Sequence, residues 1–175
     1  MLDRLLDWYA RHARDLPWRR TQDPYRIWVS EIMLQQTRVE AVIPFYERFL
    51  ERFSSPEALA AAPEPQVLDA WAGLGYYRRA HAASRRAAHR RRTRRRFPRD
   101  YDAIRALPGI GEYTAGAVAS IAFELPHAAV DGNVLRVLSV CSTRRATSRP
   151  RAFGPDSARE HSAGWTRRRR ASAAR

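Results

Sequence analysis

Glu31 is the residue whose type and spacing best suit it to chemistry. It lies four residues after Ile27, three after Trp28 and three before Leu34, so at helical spacing its carboxyl shares a face with apolar side chains. Withdrawing water from a carboxylate raises its proton affinity, and an acid that keeps its proton near neutrality can protonate a leaving group. The competing reading is a glutamate at the edge of the stripe whose carboxyl reaches solvent. Gln35 and Gln36 follow on the next turn, either as polar surface or as side chains that read or wedge between bases. A second carboxyl, Asp131, stands at the head of Val130-Asp131-Gly132-Asn133-Val134, where helix capping is its simplest role. In Leu107-Pro108-Gly109-Ile110-Gly111, two glycines spaced by one residue precede a helical run. Such a turn either lets main-chain N–H groups approach an anion, above all a phosphate, or is an ordinary helix connection. Tyr76 in Gly73-Leu74-Gly75-Tyr76-Tyr77 either stacks on bases, a contact of about 1–3 kcal/mol per base, or lines the core.

The elements that must carry these groups are all helical. Leu2, Leu5, Leu6 and Tyr9 fall at i, i+3, i+4 and i+7, an amphipathic first helix that Leu16-Pro17-Trp18-Arg19-Arg20 ends. Asp23 as N-cap and Pro24 at the first helical position open the second, running from Tyr25 to about Gln36. From Val39 the positions Val42, Ile43, Tyr46, Phe49, Leu50 and Phe53 keep helical period, with Pro44 either kinking that helix or starting another. Ser55-Pro56 opens a short helix, and a further one is expected from about Gln66 to Ala72, ending at Gly73. Asp100 caps a short helix through Ala106, and Thr114 to Phe123 resumes helical spacing, so the glycine turn joins two helices as a hairpin. Asp131 begins the last periodic stretch, which ends near Cys141.

A chain of 175 residues is one domain by the usual prior, with no run apolar enough to span a membrane and no signal-peptide pattern. The expected location is the cytoplasm, at the nucleoid of a bacterium. The net charge of +14 suits a nucleic-acid partner, but it is concentrated. All 32 basic residues are arginine; 11 lie between Arg78 and Arg99 and 10 between Arg144 and Arg175, leaving a mildly acidic remainder. In residues 78–96 the apolar content falls to alanines, and Arg90 to Arg96 has no apolar face, so this anomalous stretch is expected to be solvated and unable to supply a core wall. Residues 142–175 lose periodicity and are expected to form a disordered basic tail beyond a domain of residues 1–141.

Five signatures stand in one order: Leu16-Pro17-Trp18; Trp28-Val29-Ser30-Glu31-Ile32-Met33-Leu34-Gln35-Gln36-Thr37; Trp71 to Tyr77; Leu107 to Gly116; and Val130 to Val137. Together they resemble the adenine DNA glycosylase (MutY) family of the helix-hairpin-helix DNA glycosylase superfamily, over about residues 1–77 and 97–141. The resemblance implies an all-α helical-barrel core that removes adenine mispaired with 8-oxoguanine or guanine in double-stranded DNA, acting as a monomer. It implies that Glu31 protonates adenine and then helps activate water, that Asp131 stabilises the oxocarbenium-like sugar, and that Tyr113 and Asn133 support this pair. It also implies DNA contacts from Gln35, Gln36, Thr37 and Tyr76, with Tyr76 and one of Gln35 or Gln36 inserted near 8-oxoguanine, and with Leu107, Gly109, Ile110, Gly111 and Thr114 holding a backbone phosphate.

The endonuclease III branch of the superfamily cleaves the strand through a lysine on the hairpin helix. This chain contains no lysine and has Tyr113 there, so the resemblance favours a monofunctional enzyme. The family usually carries a four-cysteine [4Fe–4S] site, placed on one side with the N-terminal helix, and often a domain for 8-oxoguanine. With Cys141 as its single cysteine the sequence ends before that site, so no cofactor is expected and turnover is expected to be weak. The alternative function is a catalytically inactive helix-hairpin-helix fragment that binds DNA.

Overall fold

The computed structural model describes residues 2–93, 97–107 and 109–143, and helices are the only regular secondary structure among them. In chain order these are α1 (Leu2–His12), a 3-10 turn (Pro17–Arg19), α2 (Pro24–Leu34), α3 (Val39–Arg52), α4 (Pro56–Ala61), α5 (Glu64–Trp71), α6 (Arg78–Thr93), α7 (Tyr101–Arg105), α8 (Glu112–Phe123) and α9 (Gly132–Thr143). The expected tail from residue 144 onward, Arg94–Arg96 and Pro108 lie outside the described residues.

Local chemistry sets most boundaries. The Asp23 carboxylate accepts hydrogen bonds from the N–H groups of Tyr25 and Arg26, Ser55 caps α4 through Ala58 N–H, and Asp100 caps α7 through Ala103 N–H. Helix α2 ends at Leu34 rather than Gln36, because Gln36 turns into the left-handed region with φ +57°. Pro44 neither ends nor divides α3, which runs on through it.

Helix α2 is the central strut. Tyr25, Ile27, Trp28, Val29, Ser30, Ile32 and Met33 are all buried, and α2 packs on α3, α6 and α8. An aromatic layer closes the core beneath it: Phe49 meets Phe53 edge-on at 4.9 Å and Trp71 at 5.8 Å, while the Tyr25 hydroxyl donates to Phe53 O at 2.8 Å.

The expectation that residues 78–96 supply no core wall is wrong over the part described. Residues 78–93 form α6, and its alanines Ala80, Ala83 and Ala87 are 0%, 3% and 1% exposed against α4. Positions i, i+3 and i+7 make one stripe, and methyl side chains let two helix backbones approach closely, so a short apolar group fills the space a leucine would need elsewhere. By contrast, Leu5 and Trp8 of α1 and Val137 and Val140 of α9 are more than half exposed.

Candidate active site

The hairpin is built as its sequence suggests. Helix α7 packs on α8, Ile104 and Ile110 are buried under the turn, and the Ile110 N–H donates to Leu107 O at 3.0 Å. Gly109 has φ +70°, which side chains rarely adopt. Gly111 has ordinary dihedrals, and a Cβ there would meet no atom of the chain. Leu107 is half-buried, and Ile110 and Thr114 are buried, so these two can offer a strand only main-chain groups.

Three groups predicted to act together come together. Glu31 sits one turn before the end of α2, Tyr113 in the first turn of α8, and Asp131 at the head of α9. Burial pushes the Glu31 carboxyl above the ordinary glutamate range; a hydrogen bond from the Tyr113 hydroxyl works against this, and the negative charge of Asp131 adds to it. Desolvation likewise raises Tyr113, helped by the Glu31 charge, although the residue as a whole is partly exposed; its hydroxyl is a hydrogen-bond donor at neutral pH. Asp131 accepts from Val134 N–H at 2.8 Å and from Asn133 Nδ2 at 3.1 Å, while Asn133 Oδ1 accepts from Arg136 at 3.2 Å. Asp131 is therefore both an N-cap and a charged neighbour of Glu31: its two oxygens are taken by donors at the head of α9, and its influence on Glu31 is electrostatic.

Glu31 also faces a cleft of about 740 Å³, whose wall includes Trp18, Arg19, Thr21, Ile27, Leu34 and Ile121. That volume is in the range of small-molecule and nucleotide sites. Trp18 belongs to one of the sequence signatures, whereas Arg14 and Arg19 join the same wall only through the fold. Gln35, Gln36 and Tyr76 are exposed and Thr37 is half-buried, close together through the contacts of Arg79. Both Gln36 (φ +57°) and Tyr76 (φ +49°) are left-handed, a conformation costing about 1–2 kcal/mol for side-chain-bearing residues.

Gly116 fixes the distance between the last two elements. A Cβ there would collide with the carbonyl oxygen of Ala128, so α8 and the segment leading to Asp131 touch backbone to backbone. Replacing Gly116 by alanine is expected to lower stability by about 1–3 kcal/mol, as overpacking does. It should also push Asp131 away from Glu31. Urea unfolding checks the first effect and the rate of any base release the second.

The described residues contain no group of three or more His, Cys, Asp and Glu side chains suited to a metal ion. A [4Fe–4S] cluster needs four thiolates, and Cys141 is the sole cysteine of the sequence, so the residues present do not fit that group.

An all-helical fold with a glycine hairpin beside a half-buried acid and a capping aspartate defines a class. Residues 29–153 match the family described as HhH-GPD superfamily base excision DNA repair protein, and the chain belongs to it. The chain superposes on a thermostable thymine-DNA glycosylase with a TM-score of 0.72 at 33% identity, covering 76% of this chain and 62% of that one. On an endonuclease III–DNA covalent intermediate the TM-score is 0.67 at 27% identity, covering 78% and 63%. Among curated relatives it is 44% identical to the adenine DNA glycosylase of Buchnera aphidicola (strain Bp) over 77% of this chain and 39% of that protein. It is 42% identical to that of Mus musculus over 87% of this chain and 30% of that protein. Within the superfamily the chain falls in the adenine DNA glycosylase (MutY) family, and it spans well under half the length of these two curated relatives.

Proposed function

We propose that this chain carries the catalytic centre of an adenine DNA glycosylase, hydrolysing the N-glycosidic bond of adenine opposite 8-oxoguanine or guanine without cutting the strand. The observation that carries the reading is Glu31, bonded by Tyr113, within electrostatic reach of Asp131: two carboxyls in unlike surroundings. Breaking the bond leaves its electron pair on the base and positive charge on the sugar. Glu31, its proton held by burial, protonates the departing adenine ring. Asp131, held by the Val134 N–H and the Asn133 side-chain amide, opposes the oxocarbenium-like sugar with its negative charge. Glu31, now deprotonated, takes a proton from the water that adds to the sugar carbon.

The target base must leave the duplex, and the cleft beside Glu31 has room for it. Gln36 and Tyr76 fill the space near the partner base. The main-chain N–H groups around Gly109 and Gly111 hold a phosphate, and the open space at Gly111 suits close approach of a strand. No lysine is present to form a Schiff base, so the product is an intact strand with an abasic site. The test is a single-turnover assay with the full chain in excess over duplexes carrying adenine opposite 8-oxoguanine or guanine. Slow release of free adenine, with strand breakage only after alkali, is expected. Strand breakage without alkali overturns the monofunctional part. Salt-sensitive duplex binding with no adenine release leaves the DNA-holding fragment as the function.

A further inference from the structure

Arg79, on α6 at the edge of the arginine-rich stretch, has more partners than any surface cation needs. The two hydrogens of its Nη1 are shared among Ile32 O at 3.0 Å, Met33 O at 2.8 Å and Gln35 O, and Nη2 donates to Thr37 Oγ1 at 3.1 Å and Gly75 O at 3.2 Å. The Arg79 Cζ lies over the rings of Trp71, 5.6 Å from the centroid, and Tyr76, 5.1 Å from the centroid. The last carbonyls of any helix lack partners within it, and a cation there is favoured by the helix dipole. Arg79 therefore caps the C-terminal end of α2 from a helix more than 40 residues further along the chain. The Gly75 carbonyl that it grips is also held by Trp71 Nε1 at 3.0 Å. One side chain thus ties together two turns whose next residues, Gln36 and Tyr76, are exposed and left-handed.

We propose that Arg79 is a positioning residue that locks Gln36 and Tyr76 into one rigid wedge, and through them sets discrimination of the base opposite the target adenine. The discrimination half rests on the adenine glycosylase reading; the locking half does not. A left-handed turn bearing a side chain relaxes unless its neighbourhood over-determines it, and here the same guanidinium supplies that constraint to both turns. Lysine cannot replace it, because five acceptors in two directions require a planar fork of donors.

Two measurements on the full chain test this, each comparing Arg79 with Arg79→Gln and Arg79→Lys. Amide hydrogen exchange is expected to accelerate by about tenfold or more at residues 35–38 and 75–77 together in Arg79→Gln, with residues 110–119 unchanged and Arg79→Lys intermediate. Protection that survives at either segment, or is lost equally at α8, overturns the lock. The second is equilibrium binding to duplexes carrying a non-cleavable adenosine analogue opposite 8-oxoguanine, opposite guanine, or opposite thymine. The preference for 8-oxoguanine over guanine is expected to fall about tenfold in Arg79→Gln while affinity for the thymine duplex stays within about twofold. An unchanged preference, or a uniform loss on all three duplexes, overturns the positioning role. Coupled loosening of both turns in a chain whose parent shows no preference among the duplexes upholds the lock and counts against the glycosylase reading.

Discussion

Glu31→Gln is expected to reduce adenine release by about 10²–10⁴-fold, the range that a positioned general acid supplies, while duplex binding changes little. Glutamine preserves the shape of the side chain and can still accept from Tyr113, but it has no proton to give to the departing base. The environment of Glu31 adds a pH signature. Burial raises its proton affinity, so release by the parent chain should be flat below the raised value and decline as pH increases through it. The stability consequence has the opposite sense to the catalytic one. Below the ordinary glutamate value of 4.5, Glu31 is protonated in both the folded and unfolded chain. As pH rises, the unfolded chain gives up the proton first and the folded chain retains it, so the parent loses stability up to the raised value. Glu31→Gln removes that loss: the variant should unfold at a higher urea concentration than the parent near pH 7, with the difference vanishing towards pH 4. A variant equally active, or one less stable at neutral pH, would show that this carboxyl is not the desolvated acid of the site.

Asp131→Asn should cost about 10²–10³-fold in adenine release, the effect of removing one preorganised electrostatic contact to a charge that develops during reaction. The substitution is informative because it subtracts so little else. Asparagine caps helices as well as aspartate, so the bond from Val134 N–H persists; only the exposed bond from Asn133 Nδ2 is lost, because an amide nitrogen cannot accept it, and the urea midpoint should stay close to that of the parent. Asp131→Ala, by comparison, loses the cap too and should be less stable by about 1 kcal/mol. Rates from Asp131→Asn and Asp131→Ala that agree, alongside midpoints that differ, separate the charge from the cap. Equal activity of Asp131→Asn and the parent would assign Asp131 to capping alone.

Both predictions depend on helices brought together by contacts of different reach. Glu31 lies in a buried apolar helix because its own neighbours, Ile27, Trp28 and Leu34, set that face. Tyr113 and Asp131 reach it only because α8 packs on α2 and Gly116 lets the next segment lie against α8. The exposed apolar side chains of α1 and α9 follow the same division. Their helical spacing is written in Leu2, Leu5, Leu6 and Tyr9 and in the run from Val134, but whether a face is covered is not a local property.

The sequence by itself determined what neighbours in the chain can settle. Asp23, Ser55 and Asp100 mark helix starts because their side chains bond N–H groups two or three residues on. Gly109 marks the hairpin because its φ is local, and Glu31 and Asp131 could be singled out because their immediate surroundings set their chemistry. Tertiary structure alone decided that the alanines of α6 form a core wall, since a methyl stripe is apolar enough only when another helix comes close. It also decided that Gln36 and Tyr76 are left-handed and share one arginine. The donors and acceptors of that clamp lie as far as 47 residues apart, and no periodicity encodes which of 32 arginines will find the open end of α2.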